Sequence, residues 1–132
     1  MHTTELLENS TSRAILGAAI EVHRQLGGPG LLESVYEEAL AYELEMRGHV
    51  VVRQSEVPLH YKGRVLASTL RLDLLVNGCV IVECKATPVN SRLFDAQALT
   101  YLRLTGLRLA LVINFGQPVV RQGTRRVVNE LA

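Results

Sequence analysis

Apolar positions along the chain change period twice, and each change marks a new kind of element. From Ser10–Ser12, whose hydroxyls offer caps, Ile15, Ala19, Val22 and Leu26 recur at helical spacing. Residues 1–10 lack that periodicity and are expected to be a frayed, flexible N-terminus. Gly27-Gly28-Pro29-Gly30 closes the first helix. A second is predicted from Leu31 to Arg47, with Gly48 as its stop and Leu32, Val35, Tyr36, Ala39, Leu40 and Leu44 as its apolar face. The period then falls to two. Val50–His60 and Val65–Val76 read as strands joined by a Lys62-Gly63 turn, and Asn77-Gly78 is a strong hairpin signal. Cys79–Cys84 is apolar nearly throughout until Glu83, as in a central strand covered on both faces. Helical spacing returns over Ser91–Thr105, capped by Ser91 and ended by Gly106. Leu107–Asn114 is a further short strand, and Val119–Val128 reads equally as an edge strand or a last helical turn. The order α-α-β-β-β-α-β makes a mixed sheet with helices on it, an α/β fold.

Length fits this as one domain over 11–132: 132 residues bury a core without disulfide or metal staples. With 48% apolar residues and no low-complexity run, disorder is excluded. The longest apolar runs fall far short of the ~20 residues of a membrane span. The polar, acidic start MHTTELLENS does not read as a signal peptide, and Cys79 and Cys84 lack CxxC spacing, so a cytoplasmic protein with reduced thiols is expected. Cys84 alternates into the core, while Cys79 follows the turn, where it could be exposed.

Charge changes the picture more. The net charge is +1, but residues 1–85 hold 8 Lys/Arg against 11 Asp/Glu, while residues 86–132 hold 6 Arg against 2 acids. Arginine forks onto phosphate bidentately, so a basic face here suits nucleic acid or an acidic protein partner. Solvated surface arginine is the plain alternative.

The candidate chemistry lies at the end of the third strand. In Val80-Ile81-Val82-Glu83-Cys84-Lys85 a carboxylate and an ammonium project from the same face. The plain reading is a strand that reaches solvent there. Asp73, within the apolar Leu72–Val76 run, adds a second carboxylate at a position that disfavours aspartate. Two carboxylates and a lysine at the open end of a hairpin suit Mg²⁺ or Mn²⁺, which takes one or two carboxylates and fills its shell with water and phosphate. Lys85 would orient an attacking water or neutralise developing charge. Parity decides whether the two carboxylates meet. A plain two-residue Asn77-Gly78 turn sends Asp73 and Glu83 to opposite faces, so the site requires one odd residue, or a strand twisted out of regular pairing. Glu33, in the first turn of the second helix, is a further candidate, although a carboxylate there also suits the helix dipole and Glu43 shares the arc. Gln97 falls on the wheel among Leu93, Tyr101 and Leu104 and is expected to be buried and hydrogen-bonded near Glu83–Lys85. The four histidines have no zinc spacing, and Gly-Gly-Pro-Gly is not a P-loop.

Several blocks then point to a family. GPGLLESVYEEAL resembles the signature of the GxxExxY proteins, with Gly30, Glu33 and Tyr36 at the named positions. The likeness continues through RLDLLV, VIVECKA, DAQALTYL and LALVINFG to RRVVNEL. That family is similar to the PD-(D/E)xK nucleases. The resemblance implies a restriction-endonuclease-like αβββαβ core, a mixed β-sheet flanked by helices, with an extra N-terminal helix. It implies catalytic roles for Glu33, Asp73, Glu83, Lys85 and Gln97, with Asp73, Glu83 and Glu33 around Mg (or Mn). Tyr36, Tyr101 and His23 (in VHRQLG) become secondary candidates. The implied activity is Mg-dependent phosphodiester hydrolysis in DNA or RNA. The alternatives are a non-catalytic nucleic-acid-binding domain and a protein-interaction module pairing acidic and arginine-rich parts in a homodimer.

Overall fold

The computed structural model describes residues 3–130. Three helices and five strands follow in the order α1 (Thr3–Gln25), α2 (Glu33–Met46), β1 (Val51–Tyr61), β2 (Arg64–Val76), β3 (Val80–Lys85), α3 (Arg92–Thr105), β4 (Leu109–Asn114) and β5 (Thr124–Val128). The sheet runs β1-β2-β3-β4-β5, antiparallel except where β3 lies parallel to β4. α3 is the crossover that this parallel pair requires. Of the Val119–Val128 tail, residues 119–123 make a turn in which Gln122 and Gly123 N–H donate to the Val119 carbonyl, and Thr124–Val128 is the edge strand β5.

β3 and β4 are buried on both faces, as their unbroken apolar runs demand. α1 and α2 cover one face through Ile15, Ala19, Val22, Tyr36, Leu40 and Leu44, packed on Leu74, Val80, Val82 and Leu111. α3 covers the other through Ala98 and Leu102, packed on Leu70, Leu72, Ile81, Ala110 and Val112.

Three expectations need correction. α1 begins by Thr3, well before Ser10; residues 1 and 2 lie outside the described residues. The serines do not cap: Ser10 Oγ donates back to the Leu7 carbonyl (3.1 Å), and Glu8 and Thr11 are buried in the helix's inner face. On α2 the buried stripe is narrower than expected, since Leu32 and Val35 are exposed while Glu37 is buried beside Tyr36, Leu40, Ala41 and Leu44. On α3 the packed face centres on Ala98 and Leu102, and Leu93 (72% exposed) and Leu104 (50%) face solvent. Ser91 does cap α3, accepting from Leu93 N–H (3.1 Å), and Gly106 ends it at φ 74°. Both cysteines are free and buried, Cys79 included.

Candidate active site

The hairpin between β2 and β3 contains the odd residue that a shared site requires. Asn77 and Gly78 have φ of 53° and 68°, and Cys79 N–H donates to the Val76 carbonyl (3.1 Å), the geometry of a type I′ turn. The ladder nevertheless closes at Val76↔Val80, so Cys79 is the extra residue. Pairing continues through Leu75↔Ile81 to Leu74↔Val82. One step further brings Asp73 opposite Glu83.

There the two strands part, and side chains take over from the ladder. Asp73 N–H donates to Glu83 Oε2 (2.9 Å), and Cys84 N–H donates to Asp73 Oδ2 (2.8 Å). Each carboxylate is held by the other strand's backbone. The other oxygens, Asp73 Oδ1 and Glu83 Oε1, have no protein hydrogen bond.

The parting has a cause in β1 and β2. Leu72 packs under α3, yet Leu74 packs under α1 and α2. Residues two apart in a regular strand share a face, so β2 rolls over at Asp73. β1 rolls with it: Val57 and Leu59 face α3, whereas Val51 joins the opposite layer. The pivot in β1 is Gln54, at φ 51°, between the pairs Arg53↔Leu74 and Ser55↔Leu72. A non-glycine residue held there costs about 1–3 kcal/mol unless its surroundings hold it. Gln54 Nε2 donates to both oxygens of buried Glu37 (3.0 and 2.9 Å), and Arg53 pairs with the same carboxylate at 3.3 Å.

Glu83 is only 5% exposed, and Asp73 is half-buried. Desolvation is the main force on each and favours the neutral acid. It pushes Asp73 up to about 6, against the pull of the Cys84 N–H and of Lys85. Desolvation together with the Asp73 charge pushes Glu83 up to about 8. Lys85, on the same face one alternation along, is half-buried with Nζ 4.9 Å from the centre of the Phe94 ring. Its loop is fixed from behind. Buried Asn114 accepts from Thr87 N–H and Gly116 N–H (3.0 Å each), and a Cβ at Gly116 would meet the Thr87 carbonyl at 2.2 Å.

The remaining candidates take distinct places. Glu33 stands at the rim. Its surface is exposed, yet desolvation of its inner side raises its carboxyl, with Lys85 opposing and Glu37 adding to the rise. Among the described residues no three His, Cys, Asp or Glu side chains gather at metal-binding distance, so Glu33 does not extend the Asp73–Glu83 pair into a three-carboxylate cluster. Gln97 is exposed rather than buried and makes no protein hydrogen bond. It sits about 100° round the helix from packed Ala98, on the wall of a cleft of about 430 Å³ shared with Lys85, Phe94 and Thr100. Tyr101 is half-buried on the α3 side. Desolvation, then Glu83 and Asp73, raise its phenol.

His23 and Tyr36 do structural work in the other layer. His23 Nε2 lies 3.1 Å from the Phe115 carbonyl oxygen. Tyr36 stacks on Phe115 (4.8 Å between centroids), donates to the Gly28 carbonyl (2.7 Å) and accepts from Leu31 N–H (3.2 Å), pinning the Gly-Gly-Pro-Gly linker. Glu37, Gln54 and Arg53 were not foreseen. Glu37 carried a signal, since it lies on the arc of Tyr36, Leu40 and Leu44.

Against this geometry, the family model of the PD-(D/E)XK nuclease superfamily matches residues 9–127, and the chain belongs to that superfamily. No curated protein and no solved structure matches it. Nucleases of the superfamily usually use divalent metal ions. The donor set here fits one: two hard carboxylates are held together, each with an unengaged oxygen, and burial raises their pKa values, an effect that a dication would reverse. No helix among the described residues is long and apolar enough to cross a membrane.

Proposed function

We propose that the chain is a metal-dependent nuclease that hydrolyses phosphodiester bonds in DNA or RNA. The observation that carries this reading is the reciprocal capture of Asp73 and Glu83 at the point where β2 leaves β3, with Lys85 beside them. Asp73 and Glu83 would hold Mg²⁺ or Mn²⁺ through their unengaged oxygens. When bound, the dication supplies positive charge for the phosphoryl oxygens. Lys85, held by β3 and Phe94, neutralises charge that builds on the phosphate and orients a water beside it. Gln97 and Thr100 line the cleft next to Lys85 and would contact the substrate strand. Glu33 sets the rim's negative charge. Partners are therefore nucleic acids.

The test is cleavage of single-stranded, duplex and branched substrates with Mg²⁺ or Mn²⁺. Asp73→Asn, Glu83→Gln and Lys85→Ala should each lower the rate by at least about 10³-fold. Cleavage by Lys85→Ala at the unaltered rate removes the lysine's role. A second reading, a domain that binds nucleic acid without cutting, is favoured by the two-carboxylate donor set lacking a third ligand. Binding without cleavage on every substrate would select it.

A further inference from the structure

β1 and β2 are far longer than the sheet needs: 11 and 13 residues against 6 in β3. Their pairing runs past Asp73 to a type I′ turn at Lys62-Gly63 (φ 49° and 80°), as a two-stranded ribbon with no third strand. Its root packs under α3 through Val57, Leu59 and Leu70, but residues 60–69 have left the core and every one of them is exposed. An isolated two-stranded ribbon is marginal in water, and this one exposes Tyr61 (61%) and Val65 (59%).

Its charge is one-sided. Between residues 55 and 72 the single acid is Glu56, paired with Arg71 at 3.2 Å. The tip carries Lys62, with Nζ 5.5 Å from the centre of the Tyr61 ring, and Arg64, directly across from Tyr61. The outer edge discourages another strand: Pro58 lacks an N–H, the register slips between Pro58 and His60, and Gln54 kinks the strand. A second copy of this chain adding to β1 is therefore disfavoured, while a polyanion is favoured.

The geometry points to the tip of the β1–β2 ribbon as an arm that enters the major groove of duplex DNA, with Lys62 and Arg64 on the phosphates and Tyr61 against the groove wall. B-DNA's major groove admits a two-stranded ribbon, whereas the deep, narrow groove of duplex RNA does not. Arg64 is nine residues from Asp73 along β2, at most about 30 Å. That reach is about one turn of B-DNA, so the arm would grip the duplex one turn from the carboxylates. This inference rests on the nuclease reading and narrows its substrate to duplex DNA.

Fluorescence anisotropy in metal-free buffer, where no cleavage intervenes, tests it on labelled duplex DNA, single-stranded DNA and duplex RNA across a salt series. The unaltered protein should bind duplex DNA tightest. Lys62→Ala/Arg64→Ala should weaken that binding roughly 10–100-fold and flatten its log–log salt slope by about 2. Tyr61→Ala should weaken it less, with the slope unchanged. Equal binding by the unaltered and double-variant proteins overturns the arm and leaves the nuclease reading standing. Equal loss on all three ligands, or preference for single strands or RNA, overturns the groove assignment. Failure of the unaltered protein to bind duplex DNA overturns the arm, while cleavage with Mg²⁺ or Mn²⁺ decides the nuclease reading separately.

Discussion

Glu37 and the Asp73–Glu83 pair both meet the kink at Gln54, and their carboxylates are held differently. Glu37 is fully answered: Gln54 donates to both its oxygens and Arg53 supplies a counter-charge. Asp73 and Glu83 are only half answered. Each accepts one backbone N–H. Desolvation holds both carboxyls toward the protonated state, with the Glu37 and Glu33 charges adding at Asp73 and the Asp73 charge adding at Glu83. A fully paired buried carboxylate reads as a structural part, whereas an under-satisfied pair is a candidate for binding positive charge. Here the first supports the second. Glu37 holds Gln54 in the conformation that lets β1 and β2 roll, and the roll brings Asp73 to Glu83.

The largest effect should come from breaking the support. Glu37→Ala leaves Gln54 strained without its acceptor and should cost about 2–4 kcal/mol of stability, measured by denaturant unfolding. Glu37→Gln keeps an acceptor for Gln54 and should cost less than half as much. Equal losses would mean that charge, not the hydrogen bond, holds the kink.

Next comes pH. The folded-state pKa values of Asp73 and Glu83 lie above their ordinary 3.8 and 4.5, at about 6 and about 8. Between those limits the folded state binds more protons than the unfolded one, so stability falls as pH rises. The pair's contribution is full below about pH 4 and falls until about pH 8. Because solvent reaches part of both groups, the metal-free protein should lose about 2–4 kcal/mol across that window. Glu83→Gln should remove most of that slope, and an unchanged slope would place its origin elsewhere.

The smallest effect is expected at Gln97. Exposed and unbonded, it should change stability by less than about 0.5 kcal/mol on replacement by alanine, while substrate affinity falls. A larger stability loss would return it to the packed face of α3.

What was legible in the sequence follows the range of the interactions. Asn77-Gly78, the Ser91 cap and the Gly106 stop are local, and each stands where its chemistry requires. The Glu83–Lys85 pair stood out because polar groups ended an apolar strand, and parity showed that an odd residue was needed. Which residue it was, Cys79, depended on pairing rather than composition. The roll at Gln54 left no local trace, because glutamine does not signal a positive φ and its partner Glu37 lies 17 positions away. The wheel misplaced Gln97 because leucines lie on both sides of α3, and only packing against the sheet decides which side is inside. The start of α1 is hidden in the sequence for a similar reason, because Ser10 bonds back within the helix instead of capping it.

The central claim is that Asp73 and Glu83 together form a dication site. Isothermal titration of the metal-free protein with Mn²⁺ at pH 8 tests it most directly, with proton release followed in buffers of different ionisation enthalpy. The account predicts one site per chain, binding accompanied by proton release from Glu83, and loss of that site in both Asp73→Asn and Glu83→Gln. Binding that survives either substitution, or the absence of binding in a folded protein, would contradict it.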